Sequence, residues 1–128
     1  MRRIILLTAF LFTTYCTAMS QTIHSSKPVL RHVVMFQFNE KATPADIKKI
    51  EDAFRALPLK IPEIKGFEWG TNNSPEKLNQ GLTHCFLVSF DSEKDRDAYL
   101  VHPAHKAFGA VLGPFFGKAT VLDYWAKQ

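Results

Sequence analysis

Residues 30–38 read Leu-Arg-His-Val-Val-Met-Phe-Gln-Phe, a stretch dominated by side chains that favour β-strands. Successive residues of a strand face opposite sides of the sheet. One face carries His32, Val34, Phe36 and Phe38, and the other carries Val33, Met35 and Gln37. Because both faces are mostly apolar, the stretch predicts a strand that is covered on both sides.

A helix is expected to follow this strand. Thr43 and Pro44 form a typical helix start, an N-cap residue before an N1 proline, and apolar residues then recur at helical spacing up to Pro58. A second helical region opens at Ser92 and is interrupted at Pro103. The remaining predicted elements are the strands Ile64 to Thr71, Thr83 to Phe90 and Lys118 to Trp125, and the helical segments Ser92 to Tyr99 and Ala104 to Leu112.

With the interrupted helix counted once, the order is β-α-β-β-α-β. This order is typical of a ferredoxin-like α+β sandwich, in which four antiparallel strands carry two helices on one face. The chain supplies no third layer, although both faces of the predicted strands are apolar. We therefore expect a second copy of the chain to cover the open face, and the sequence predicts a homodimer.

The first 20 residues have the features of a secretory signal peptide. Arg2 and Arg3 precede an apolar run from Ile4 to Ala18, and Ala18-Met19-Ser20 is a typical small-x-small cleavage site. We predict a signal peptide over residues 1–20, a short tether over 21–29 and one domain over 30–126. The protein would then be secreted or periplasmic, with no membrane attachment after cleavage, and a retained N-terminal anchor is the alternative.

The distribution of charge and the number of cysteines argue against a nucleic-acid partner and against an internal disulfide. The chain carries 16 Lys and Arg against 12 Asp and Glu. These basic residues are scattered rather than clustered among aromatics, so we expect no nucleic-acid partner. Cys85 is the one cysteine beyond the predicted signal peptide. It therefore has no internal disulfide partner, and we predict a buried thiol.

Residues 99–105, Tyr-Leu-Val-His-Pro-Ala-His, bring a phenol and two imidazoles together. Pro103 disfavours helical backbone at His102, so a new helix should begin there with His105 in its first turn. The exposed N–H groups and the positive dipole end of that turn disfavour an imidazolium. The segment thus predicts a neutral base, His105, beside the phenol of Tyr99. A helix corner built only for packing is the alternative.

Several segments together resemble the stress-responsive A/B barrel family of dimeric α+β barrels. They are residues 31–38, 66–70 and 81–84, Tyr99 with residues 102–105, and Asp123-Tyr124. The resemblance spans residues 30–126. It implies a ferredoxin-like subunit whose sheet packs against the sheet of its partner, which forms a dimeric α/β barrel.

The resemblance also implies a site. Family members range from plant stress proteins to a ring-closing polyketide cyclase, whose acid/base pair corresponds to Tyr99 and His105 and whose pocket histidines correspond to His32 and His84. Each of these two histidines lies near the start of an apolar strand face, so both rings should line one pocket if those faces meet the helices. The predicted binding residues are His32, His84, Phe36, Trp69 and His102.

Two functions remain open. The first is a homodimer with a pocket for a small apolar ligand in each subunit. The alternative is an acid/base enzyme of the aldol cyclase or lyase type, in which His105 removes a proton next to a carbonyl and Tyr99 stabilises the developing oxyanion. A Tyr99 hydroxyl within hydrogen-bond reach of His105 would favour the enzyme. We predict no cofactor. We also predict no metal site, because Pro103 splays His102 away from His105 and no acidic residue lies in that segment.

Overall fold

The computed structural model describes residues 27–127. The predicted signal peptide and residues 21–26 of the predicted tether lie outside the described residues. The strands are β1 (Leu30–Phe38), β2 (Gly66–Thr71), β3 (His84–Phe90) and β4 (Phe116–Trp125), and the α-helices are α1 (Pro44–Arg55), α2 (Glu93–Val101) and α3 (Pro103–Leu112). Short 3-10 turns over Leu57–Leu59 and Gly113–Phe115 follow α1 and α3. The predicted order of elements is confirmed.

The four strands form one antiparallel sheet in the order β2-β3-β1-β4. The helices pack against one face of this sheet, so the fold is the predicted ferredoxin-like α+β sandwich. The central strand β1 pairs with β3 on one side and with β4 on the other. Within residues 27–127, no helix is long and apolar enough to cross a membrane.

Local sequence determines where the helices begin and end. Thr43 caps α1, and its side chain and that of Asp46 exchange hydrogen bonds with each other's backbone N–H groups. Between α2 and α3, His102 has extended backbone angles, φ −62° and ψ 138°. Its ring nitrogen Nδ1 accepts a hydrogen bond from the backbone N–H of Ala104 and so caps α3. The predicted break at Pro103 is confirmed.

The core lies between the sheet and the helices and is largely aromatic. Phe54 of α1 stacks on Phe86 of β3 with ring centroids 4.1 Å apart, and Phe108 of α3 meets Phe54 edge to face at 4.8 Å. Phe36 of β1 completes this cluster. Burial of these rings, together with their stacked and edge contacts, holds the helices on the sheet.

The opposite face of the sheet is apolar and open in the single chain. Val33 of β1 lies directly opposite Leu87 of β3 and Leu122 of β4, so the three side chains share this face. Leu122 is 57% exposed. Cys85 also lies on this face and is exposed in the single chain, so the prediction of a buried thiol is wrong for the chain by itself. The reason is strand alternation, which points odd-numbered residues of β3 away from the helices.

Gly117 provides a test of the packing of β4 against β1. A Cβ atom at this position would lie 2.7 Å from the backbone oxygen of Gln37, at the register shift between Gln37 and Phe38. We expect Gly117→Ala to lower the free energy of unfolding by about 1–3 kcal/mol, because backbone must move to admit the methyl group. The measurement is urea denaturation.

Gly109→Ala is the matched control. Gly109 lies inside α3, and a Cβ atom there meets nothing within 4 Å. This variant should be more stable than the parent by roughly 0.5–1 kcal/mol, because alanine favours helix. Equal stability of Gly117→Ala and the parent would contradict the close approach.

Candidate functional site

A cavity of about 330 Å³ lies between the sheet and helices α2 and α3. Its lining is mainly apolar and includes Phe36. The polar side chains that reach it are His32, Tyr99, His105 and Asp123. The structure therefore brings together four of the predicted site residues, which are His32, Phe36, Tyr99 and His105. It adds the carboxylate of Asp123, which was not among the predicted site residues. The volume and the few polar groups are typical of a small-molecule pocket.

His105 lies in the first turn of α3, as predicted, and its Nδ1 atom is 3.1 Å from the backbone oxygen of Leu100. A carbonyl oxygen can only accept, so Nδ1 carries the proton and Nε2 carries the lone pair. Burial lowers the pKa of His105 below its ordinary value of 6.5, although the Leu100 hydrogen bond raises it and the nearby His32 adds to the lowering. The ring is therefore a neutral base at neutral pH.

Tyr99 is fully buried at the end of α2 and contacts both cavity histidines. Its ring centroid lies 4.4 Å from that of His105 and 5.7 Å from that of His32. Burial raises the pKa of the Tyr99 phenol, which therefore stays protonated and able to donate a hydrogen bond. Within residues 27–127, the Tyr99 hydroxyl and the His105 ring do not hydrogen-bond to each other.

Asp123 orients His32. The two residues lie directly opposite each other on β4 and β1, and Nδ1 of His32 is 2.6 Å from Oδ1 of Asp123. The other carboxylate oxygen, Oδ2, accepts a hydrogen bond from Arg96 at 3.2 Å. A signal for Asp123 was present in the sequence, because it follows Ala119 and Val121 on a strand face that is otherwise apolar.

His84 does not share this cavity with His32. Its Nε2 atom lies 3.0 Å from Glu51 of α1, and its Nδ1 atom lies 2.8 Å from the Thr83 hydroxyl. Each of the two histidines lies near the start of its strand, but β1 and β3 are antiparallel, so the two starts are at opposite ends of the sheet. His84 pairs with Phe36, four residues along β1 from His32, which is about 13 Å at the rise of a strand. The expectation of one shared pocket is wrong for this reason.

Two further predicted binding residues also lie outside the cavity. Trp69 stacks on Phe86 with centroids 5.6 Å apart, on the edge strand β2 and therefore on the far side of β3 from β1. His102 uses its Nδ1 atom to cap α3. In the part of the chain from residue 27 to residue 127, no three His, Cys, Asp or Glu side chains are arranged to hold a metal ion.

Comparisons with known proteins agree on one family. The family model described as Stress responsive A/B Barrel Domain matches residues 30–126. The chain is 30% identical over 99 residues to the olivetolic acid cyclase of Cannabis sativa. The alignment covers 77% of this chain and 98% of that protein.

Among solved structures, similar proteins include a lyase and a protein that is described as dimeric. The hydroxynitrile lyase of Passiflora edulis aligns with a TM-score of 0.74 and 26% identity, over 80% of this chain and 97% of that one. A protein of unknown function from Bacteroides fragilis, described as dimeric with a ferredoxin-like fold, aligns with a TM-score of 0.63 and 25% identity. That alignment covers 77% of this chain and 96% of the other.

The charge state of His105 can be measured directly. Since its pKa is lower in the folded chain than the ordinary 6.5, protonation favours the unfolded chain. This contribution to stability is complete above pH 6.5 and is lost as the pH falls through the lowered pKa. In an NMR titration, the His105 ring resonance, assigned by its absence in His105→Gln, should move with a midpoint below 6.5. A midpoint at or above that value would contradict the burial of this ring.

Proposed function

The chain belongs to the stress responsive A/B barrel domain family, and we propose that it binds a small carbonyl compound in the cavity and acts on it by proton transfer. The observation that carries this proposal is the meeting of a neutral imidazole, His105, and a protonated phenol, Tyr99, in one mainly apolar cavity. These two groups are a base and a hydrogen-bond donor of the kinds that general acid/base catalysis requires.

In the proposed reaction, the two side chains act on two different atoms of the ligand. Nε2 of His105 takes a proton from the carbon next to the carbonyl, and the electron pair of that C–H bond moves towards the carbonyl oxygen. The Tyr99 hydroxyl donates a hydrogen bond to this oxygen as its negative charge develops. A direct hydrogen bond between Tyr99 and His105 is not needed for this arrangement, because each group lines the cavity that the ligand would occupy.

The apolar lining supports the same reaction. Val34, Phe36 and Phe108 line the cavity around the polar groups, and water is a poor competitor for a hydrogen bond in such surroundings. Electrostatic stabilisation of an oxyanion is stronger in a site of low dielectric.

The named relatives support proton-transfer chemistry. One is a cyclase that forms olivetolic acid, and another is a lyase that acts on a hydroxynitrile. A hydroxynitrile is the adduct of a carbonyl compound and cyanide, so its cleavage also requires a base for the hydroxyl proton. Proton transfer at the oxygen that becomes a carbonyl oxygen, or at the carbon next to a carbonyl, is the chemistry that we carry over to this chain.

Binding without turnover is the second candidate. The specific observation that favours it is that Tyr99 and His105 are not hydrogen-bonded to each other in residues 27–127. The lining would then serve to hold an apolar ligand, and the polar groups would only orient it.

We also propose that the chain forms a homodimer through the open face of its sheet and that it is exported. The apolar side chains Val33, Leu87 and Leu122 on that face and the dimeric Bacteroides fragilis relative support the dimer. The basic start, the apolar run and the cleavage site within residues 1–20 support a secreted or periplasmic location.

Exchange of carbon-bound protons tests the proposed chemistry without the physiological substrate. Enolisable ketones are incubated with the protein in heavy water, and proton loss next to the carbonyl is followed by NMR. A parallel assay follows aldehyde release from an aromatic hydroxynitrile. His105→Gln should slow the reaction that the parent catalyses by about a hundredfold or more, and Tyr99→Phe should slow it by about a hundredfold.

His84→Gln is the matched comparison for His105→Gln, because the structure places this histidine outside the cavity. Its rate should stay close to that of the parent. An equal loss in His84→Gln would instead support the sequence-based prediction that His84 binds the substrate. Ligand binding by a parent that turns over neither probe would favour the binding candidate.

Leu122 tests the homodimer. Light scattering at micromolar concentration should give twice the mass of one chain, and Leu122→Glu should give a single-chain mass, because a charge would lie in the apolar interface. Leu59→Glu is the control, since Leu59 is 90% exposed in the 3-10 turn after α1 and away from the sheet. A monomeric parent, or a Leu122→Glu variant that stays dimeric, would reject this interface.

A further inference from the structure

The Asp123 carboxylate is shared between two partners on different elements. Its Oδ1 atom lies 2.6 Å from Nδ1 of His32, and its Oδ2 atom accepts a hydrogen bond from Nη1 of Arg96 at 3.2 Å. One carboxylate therefore connects a ring that lines the cavity to a guanidinium on α2.

Arg96 differs from the surface arginines that make ion pairs elsewhere in the chain. Its side chain is 20% exposed, whereas Arg55, which pairs with Asp52 on α1, is 54% exposed. A second hydrogen bond holds the guanidinium, since Nε donates to Oδ1 of Asp97 at 3.0 Å. Solvent and salt screen a partly buried ion pair less than an exposed one. A planar guanidinium that contacts two carboxylates can adopt few orientations. Arg96 is therefore placed to fix the Asp123 carboxylate.

The position of Arg96 along α2 links it to the site. Arg96 precedes Tyr99 by three residues, which is about one helical turn, and Asp123 lies opposite His32 in the β1–β4 register. The ion pair thus joins the helix that carries the phenol to the strands that carry the imidazole. The rings of Tyr99 and His32 lie 5.7 Å apart next to this connection.

The charge of Arg96 also bears on the proton that His32 carries. The ionisable groups around this ring are Asp123 on β4, Tyr99 on α2 and His105 on α3, and its register partner on β3 is the apolar Val88. The Arg96 guanidinium, which also contacts Asp97, places a positive charge beside the Asp123 carboxylate that faces Nδ1 of His32. Without Arg96, the unbalanced carboxylate would favour a second proton on the imidazole.

We propose that Arg96 is a positioning residue of the site, which holds Asp123 on Nδ1 of His32 and keeps that ring neutral, with Nε2 as its acceptor atom. The catalytic consequence rests on the proposed function, whereas the state of His32 does not. The inference assigns to α2 a second contribution to the site besides Tyr99.

Substitution of Arg96 tests this role against a matched control. Arg96→Met and Arg96→Gln remove the charge, Arg96→Lys keeps it without the planar fork, and Arg55→Met removes a surface arginine that pairs with a carboxylate in the same way. NMR of the ring nitrogens at neutral pH separates a neutral imidazole from an imidazolium. We expect imidazolium signals at His32 in Arg96→Met and Arg96→Gln. Arg96→Lys should show part of the parental neutral signal, and Arg55→Met should show the parental spectrum.

The exchange assay gives a second readout. In Arg96→Met the rate constant kcat should fall roughly tenfold, because a site side chain that loses its supporting contact leaves its productive geometry, while KM changes little. Arg96→Lys should recover part of kcat.

The two readouts separate this inference from the proposed function. A parental His32 spectrum in a folded Arg96→Met variant would overturn the positioning role, whatever the activity. An altered spectrum together with a parent that turns over no probe would support the positioning role and reject the proposed reaction. If Arg96→Met does not fold, Arg96→Gln is judged by the same spectrum.

Discussion

The register of β1 against its two neighbours is the constraint on which the site depends. On the β4 side it sets His32 directly opposite Asp123, and on the β3 side it sets His32 opposite the apolar Val88. Since side chains alternate along a strand, a slip of one residue would turn His32 out of the cavity and Val33 into it. The aromatic core resists such a slip, because it would also move Phe36 away from Phe54 and Phe86.

The break between α2 and α3 is the second structural feature on which the cavity depends. A continuous helix would carry His105 past Tyr99, because residues six apart do not share a helix face. The extended backbone at His102 redirects the chain and starts a new helix, so the ring of His105 returns to within 4.4 Å of the ring of Tyr99. The same turn leaves the Leu100 carbonyl free of the helix and available to His105.

Burial gives the two central groups their chemical states. It lowers the pKa of His105 and raises the pKa of Tyr99, so both side chains are neutral at neutral pH, one as a base and the other as a donor. His32 lies in the same apolar surroundings but next to a carboxylate, and the guanidinium of Arg96 balances that charge. Tyr99 and His105 thus add no charge to the apolar cavity, and the carboxylate of Asp123 is paired with Arg96, which avoids the cost of an unpaired buried charge.

The sequence by itself determined the elements, their order and the break at Pro103, because strand alternation, helix caps and proline geometry act over a few neighbouring residues. It also determined that His32 and Phe36 share the helix-facing side of β1. Only the tertiary structure decided which end of the sheet each side chain occupies. Antiparallel pairing separated His84 from His32 and brought Asp123 to His32, and helix packing brought Arg96 to Asp123. Such contacts join residues far apart in the chain, so they depend on strand pairing and helix docking rather than on any local pattern.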